Sequence, residues 1–169
     1  MIERRPTLLH SCASAATARE ARFRVDYPNS KSRVSRVIAL DAGADALLHA
    51  ITNEPWRVAH LLTFVGPIES DRGEPDAQLR SLDGFETRLS DELVGADVAI
   101  MIATDDTGAD GASIVGRACA SRRIMTAGLV VPGEEDPGDA VNALRPYAAV
   151  LVVSADEGFV PEMLGALRA

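Results

Sequence analysis

Between Val98 and Val131 the chain reads as strand, glycine-containing loop, helix and strand, and no other stretch constrains the fold as much. Val98-Ala99-Ile100-Met101-Ile102-Ala103 is an uninterrupted apolar run, the pattern of a strand covered on both faces in a parallel sheet. An acidic turn follows, Thr104-Asp105-Asp106-Thr107-Gly108-Ala109-Asp110-Gly111. A helix-like stretch then runs from Ala112 to Arg123, and Ile124 to Val131 is a second apolar run. This order sets a helix N-terminus, with its unpaired N–H groups, against a strand end, where open α/β sheets take their ligands. The loop's three aspartates oppose the charge of a phosphate there.

The same alternation organises the rest of the chain. Val37 to Leu40 is a strand that runs into Asp41-Ala42-Gly43-Ala44-Asp45 and then a helical stretch to about Thr52, a strand–turn–helix unit. Val58 to Val65 is the second strand. Gly66 to Asp83 is rich in Pro, Gly, Asp and Glu without periodicity, and is expected to be a long loop of the lid type. Phe85, Leu89 and Leu93 fall four residues apart, which predicts a helix over 85–94 with Gly95 as its cap. Asp139 to Arg145 is a short helix, Ala148 to Ser154 a fifth strand and Phe159 to Leu167 a terminal helix.

Strands alternating with helices predict an α/β fold, a three-layer Rossmann-like domain with a mainly parallel sheet of about five or six strands and helices on both faces. The domain is expected over 37–169. Loops 41–45, 66–83, 104–111 and 155–158 would meet beyond the C-terminal strand ends, where such folds bind ligands.

A length of 169 residues suits one such domain. Aromatics make up only 4%, so the core rests on branched aliphatics, which suits layered α/β packing. The net charge of −8 is unevenly spread: residues 1–36 carry eight basic and three acidic groups, leaving −13 on the remainder. An acidic body argues against nucleic acid and against anionic membranes as partners. The basic segment 1–36 is read as a solvated or body-covering stretch, partly irregular, with an Ala-rich helix candidate over 11–19 and an alternating edge-strand candidate over 21–27. Cys12 and Cys119 form no CxxC pair, which fits a reducing cytoplasm. The longest apolar runs are six to eight residues, far short of the roughly 20 that span a bilayer.

From Leu89 to Val153 the order of motifs resembles the GTPase-domain core of the tubulin/FtsZ family. Gly95-Ala96-Asp97 leads into the strand Val98–Ala103, as a "GAD" turn does in FtsZ. Asp105-Asp106-Thr107-Gly108-Ala109-Asp110-Gly111 stands where that family has the phosphate loop GGGTGTG, and Ala112-Ser113 opens the helix behind it. Ile124 to Val131, then Leu144-Arg145 and Val150-Leu151-Val152-Val153, are similar to the strands that follow, and Val37 to Ile51 is similar to the family's first strand, turn and helix. The resemblance covers most of 37–169 and implies a nucleotide-binding core. Only Thr107 and Gly108 keep the phosphate-loop register; Asp105, Asp106 and Asp110 replace glycines. Each replacement costs backbone closeness to a phosphate and adds like charge. In the family, hydrolysis also needs acidic groups from a second domain, and a counterpart of that domain is not expected here. The resemblance therefore implies a degenerate phosphate loop, no FtsZ-type GTPase activity and no FtsZ-type filament, that is, a non-hydrolysing ligand-binding or regulatory module.

Candidate ligand residues are Asp41, Gly43, Asp45, Thr104, Thr107, Gly108 and Gly111. Three roles stay open for Asp105, Asp106 and Asp110: capping and turn chemistry, ligation of a divalent cation such as Mg²⁺ or Ca²⁺, or a vestigial phosphate loop that still takes GTP, GDP or another ligand. A small Rossmann-like enzyme using this loop with a cation, and an assembly protein pairing through a sheet edge or helices as a homo-oligomer, are the alternatives. No complete acid–base or nucleophile set is visible. His10, His49 and His60 share no ligand spacing; Cys119 falls among Ile114, Val115 and Ala118 on an apolar helix face; Trp56 reads as packing against the second strand.

Overall fold

A computed structural model describes residues 33–52, 59–69, 73, 75–133 and 136–167. They lie in a compact unit spanning Ser32–Ala169; the unit Met1–Lys31 is outside the described residues. So are the candidate helix 11–19, the candidate strand 21–27, His10, Cys12 and Trp56.

The chain runs β1 (Ser35–Ala39), α1 (Ala42–Ala50), β2 (Ala59–Ile68), β3 (Asp76–Ser81), β4 (Glu86–Arg88), α2 (Leu89–Glu92), β5 (Val98–Ala103), a 3-10 turn (Asp106–Gly108), α3 (Ala109–Arg122), β6 (Met125–Val130), α4 (Gly138–Leu144), β7 (Val150–Val153) and α5 (Phe159–Leu167). The fold is α/β, as the alternation predicts. Among the described residues seven strands form one sheet in the order β4-β3-β2-β1-β5-β6-β7. From β2 to β7 every pairing is parallel.

The sequence reading needs correction at one edge. The expected loop over 66–83 contains the end of β2 and all of β3, which pair antiparallel with a bulge between Phe64 and Gly66. The helix expected over 85–94 is strand β4 followed by the single turn α2. Leu82-Asp83-Gly84 makes the hairpin, with Gly84 at φ 86° and the Ser81 N–H donating to the Phe85 carbonyl at 2.8 Å. Asp-Gly with a left-handed glycine is a hairpin signal, and Phe85, Leu89 and Leu93 keep helical spacing without forming one helix. The unit also starts earlier than residue 37, because Ser35 and Arg36 are β1 residues. Helix α3 begins three residues before the predicted Ala112.

β5 is central, and all six of its residues are buried. Successive strand side chains point to opposite faces, and β5 follows that rule. Ala99, Met101 and Ala103 join Ile38 and Leu40 in a cluster with Val115, Ala118 and Cys119 of α3 and Leu144 of α4. Val98, Ile100 and Ile102 join Val37 and Ala39 in a second cluster with Leu48 of α1 and Val160 and Leu164 of α5. At the N-terminal strand ends Arg36, buried at 6% exposure, pairs with Glu92 at 2.9 Å and donates from Nε to its carbonyl at 2.7 Å. The opposite strand ends carry the loops that start at Asp41 and Thr104. No helix among the described residues is long and apolar enough to cross a membrane.

Candidate functional site

After β1 the chain moves outward through β2, β3 and β4, then returns to lay β5 on the other side of β1. The strand order therefore reverses between β1 and β5. At such a point the two outgoing loops part and leave a crevice beyond the C-terminal strand ends.

Asp41 stands at that point. It follows Leu40 directly, holds an extended backbone at φ −143° and ψ 175°, and caps α1. Its Oδ1 accepts from the Ala44 N–H at 2.8 Å and from the Thr104 hydroxyl at 2.6 Å. Its Oδ2 accepts from the Thr104 N–H at 2.7 Å and from the Asp105 N–H at 3.3 Å. Asp41 is 7% exposed. Four donors from two loops converge on it, so its burial is compensated by hydrogen bonds to the charged form. Free amides at a helix start and strand end would make a phosphate cradle; here a built-in anion occupies them.

The acidic loop is engaged in the same internal way. Asp105 caps the 3-10 turn, accepting from the Thr107 N–H at 2.8 Å and from the Thr107 hydroxyl. Asp106 Oδ1 accepts from the Ala140 N–H at 3.0 Å, in the first turn of α4. Asp110 lies exposed in the first turn of α3, where negative charge favours the helix dipole. Among the described residues no group of three or more His, Cys, Asp or Glu side chains is placed to hold a metal ion. Asp105 and Asp106 thus bond separate groups of the chain, and capping and turn chemistry accounts for both.

The glycines serve packing. A Cβ on Gly108 would lie 3.0 Å from Leu40 Cβ and 3.1 Å from Asp41 Oδ2. One on Gly111 would lie 3.1 Å from the Phe64 ring. One on Gly43 would overlap the Thr104 hydroxyl, so α1 and β5 meet closely only because residue 43 has no side chain. Asp45 accepts from the Thr63 hydroxyl and lies 3.8 Å from His49 Nε2.

A cavity of about 390 Å³ opens beside this clasp. Gly43, Ala46, Leu47 and Ala50 line it from α1, Thr104 from the end of β5, Val131, Pro132 and Gly133 from beyond β6, and Ala155 and Glu157 from beyond β7. The structure therefore brings Gly43 and Thr104 to the crevice, with Asp41 bonded to Thr104 behind them. Asp45, Thr107, Gly108 and Gly111 are not in the lining. Loop 155–158 reaches the crevice through Ala155 and Glu157, whereas Pro67, Ile68 and Asp76 of the predicted 66–83 loop line a different cavity with Ile114 and Arg117 of α3. The α1 and post-β6 walls escaped the sequence reading because small apolar residues carry no local chemical signal. Their position follows from strand order, which is a long-range property.

The remaining nucleophile candidate is inert. Cys119 is buried against the sheet, and burial pushes its thiol up to about 12, against a smaller opposing pull from Arg122. A thiol held neutral is neither nucleophile nor metal ligand at ordinary pH. His60 sits at the far end of β2, 3.0 Å from Glu92. No family model matches the chain, and neither a curated protein nor a solved structure matches it.

Proposed function

We propose that the protein is a non-hydrolysing ligand-binding or regulatory module, a three-layer Rossmann-like domain in which a tubulin/FtsZ-like phosphate loop has become degenerate. The observation that supports this role best is the Asp41 carboxylate, which takes the donors that a phosphate would need. The crevice beside it is of ligand size, and among the described residues no lysine or arginine lines it to neutralise a phosphate. Its ligand is a small molecule, and the setting is cytoplasmic, as the free, buried Cys119 favours. The test is thermal stability of the whole chain with GTP, GDP and ATP, with and without Mg²⁺ or Ca²⁺, beside an NMR screen of neutral, cationic and anionic fragments. Fragments are expected to shift the amides of Gly43, Thr104 and Gly133, and nucleotides to stabilise nothing. Saturable GTP stabilisation, approaching about 2.7 kcal/mol at 100 times Kd, would overturn the degenerate phosphate loop. Stabilisation by GTP only with a cation, lost in Asp106→Ala, would establish the cation-dependent alternative.

A second role, assembly through a sheet edge, is favoured by β7. Its four residues, Val150-Leu151-Val152-Val153, carry no charge, and Val150 and Val153 are 51% and 52% exposed. The opposite edge, β4, is short and bears Glu86 and Arg88, the usual guard against edge-to-edge pairing.

A further inference from the structure

Strand β7 lies at one edge of the sheet and is tied to β6 on its inner side, where the Ala149 N–H donates to the Thr126 carbonyl and the Ser154 N–H to the Val130 carbonyl, each at 2.9 Å. Among the described residues no strand pairs with its outer side, so alternate backbone N–H and C=O groups there are open to a further strand. Leu151 and Val152 pack in part against the two core clusters, whereas Ala149, Val150 and Val153 are exposed. The two ends of this edge differ in charge. The chain enters β7 from Arg145, at the end of α4, and leaves it through Asp156 and Glu157. Asp139 and Glu162, in the first turns of α4 and α5, lie at the same acidic end. Arg145, Asp156 and Glu157 are exposed and share no ion pair with another described residue.

We propose that β7 pairs antiparallel with β7 of a second copy of the chain across a two-fold axis, a proposal that rests on the assembly role above. Charge complementarity sets both the occupant and its orientation. Antiparallel strands bring the Arg145 end of one copy to the Asp156 and Glu157 end of the other, twice by symmetry. Parallel strands would bring arginine to arginine and carboxylate to carboxylate, which is unfavourable. Pairing of β7 with another copy's β4 would draw Glu86 and Arg88 into the ladder and leave an open chain of copies. The register follows from the pleat, because residues opposite each other must share a face. An axis through Leu151 sets Leu151 against itself, Val150 against Val152, and Ala149 against Val153. This register is apolar throughout and covers both half-exposed valines. Continued past the strand ends, it sets Arg145 opposite Glu157. An axis through Val152 would instead oppose Val150 to Ser154. The ladder is short, so the dimer is expected to depend on protein concentration.

Sedimentation equilibrium of the full chain over a concentration series tests this. The parent is expected to fit a monomer–dimer equilibrium with no larger species. Arg145→Glu and Glu157→Arg, both at exposed positions, should each raise the dimer's dissociation constant by about threefold or more while leaving the fold intact. The double variant should associate more tightly than either single one. In a Cys12→Ser, Cys119→Ala background, Leu151→Cys should give a disulfide-linked dimer on mild oxidation, since directly opposed residues have Cβ atoms about 4.5–5.5 Å apart. Ala155→Cys, which meets its own copy only in a parallel pair, should not cross-link. Association weakened by Val150→Lys but by neither charge reversal, or cross-linking at residue 155 and not at 151, would overturn the antiparallel dimer and leave edge assembly standing. Association that Val150→Lys and Val153→Lys both leave unchanged would overturn the dimer and the edge role together, as would a parent that stays monomeric at its highest soluble concentration.

Discussion

Thr104 gives both its hydroxyl and its amide to the Asp41 carboxylate, at 2.6 and 2.7 Å, and so bolts the end of β5 to the start of α1. This bond pair sits where the strand order reverses, the place at which open α/β sheets admit a ligand. The site therefore carries its own anion.

Removing that carboxylate should cost stability. Asp41→Ala deletes an N-cap and strands the buried donors of Ala44 and Thr104, a loss of about 2–4 kcal/mol from cap and hydrogen-bond contributions. Asp41→Asn keeps one acceptor oxygen and should lose about half as much. Thr104→Val, which removes only the hydroxyl, should cost about 1 kcal/mol. Urea unfolding reads all three as midpoint shifts at constant slope.

Gly43→Ala should destabilise, against the usual trend. Alanine inside a helix ordinarily gains about 0.5–1 kcal/mol over glycine. At residue 43 the new methyl meets the Thr104 hydroxyl, and overpacking costs about 1–3 kcal/mol. Gly43→Ala combined with Thr104→Ser keeps the hydroxyl in place and should stay destabilised. Combined with Thr104→Ala, which removes the obstructing atom, it should lose no more than Thr104→Ala alone. A double-mutant cycle of melting temperatures measures this coupling.

Cys119 makes a prediction in pH. Burial raises its folded-state pKa from 9.0 to about 12, so between these values the unfolded chain releases the thiol proton and the folded chain keeps it. The stability contributed by the neutral thiol is complete below pH 9.0 and is lost as pH rises toward 12. The slope from this one group cannot exceed about 1.4 kcal/mol per pH unit. In a Cys12→Ser background, Cys119→Ala should flatten the alkaline limb of a stability–pH curve. The parent's Cys119 should react with a thiol reagent only on unfolding.

The β7 edge predicts self-association. Lysine at Val150 or Val153, both half exposed, should leave the melting temperature nearly unchanged and lower the association seen by light scattering at high protein concentration, because a charge on an edge strand opposes pairing. If the parent is strictly monomeric at the highest soluble concentration, the assembly role is excluded.

The central layer was legible in the sequence because its physics is local. Val98–Ala103 is a strand over the very residues its apolar run marks, and Phe159–Leu167 is the helix its pattern predicts. The β3–β4 hairpin was misread for an equally physical reason: Phe85, Leu89 and Leu93 keep helical spacing, yet Phe85 is 76% exposed in the hairpin turn, while Leu89 and Leu93 are buried around a single helical turn. The site was legible in part. Asp41, Gly43 and Thr104 stood out as loop residues beside strand ends, but that the first binds the third is a contact across 63 positions of chain, which no local pattern encodes. For the same reason Asp106 looked available for a ligand until its bond to the Ala140 amide placed it inside the fold.

The most direct test is whether Asp41 stands in for a bound anion. Asp41→Gly removes the carboxylate and leaves the Ala44, Thr104 and Asp105 amides with no internal acceptor. Inorganic phosphate at millimolar concentration should then raise the melting temperature of this variant saturably, by the linkage of binding to folding, and leave the parent protein unmoved. Equal response of the two proteins, or a parent that phosphate stabilises and a variant that it does not, would contradict the account.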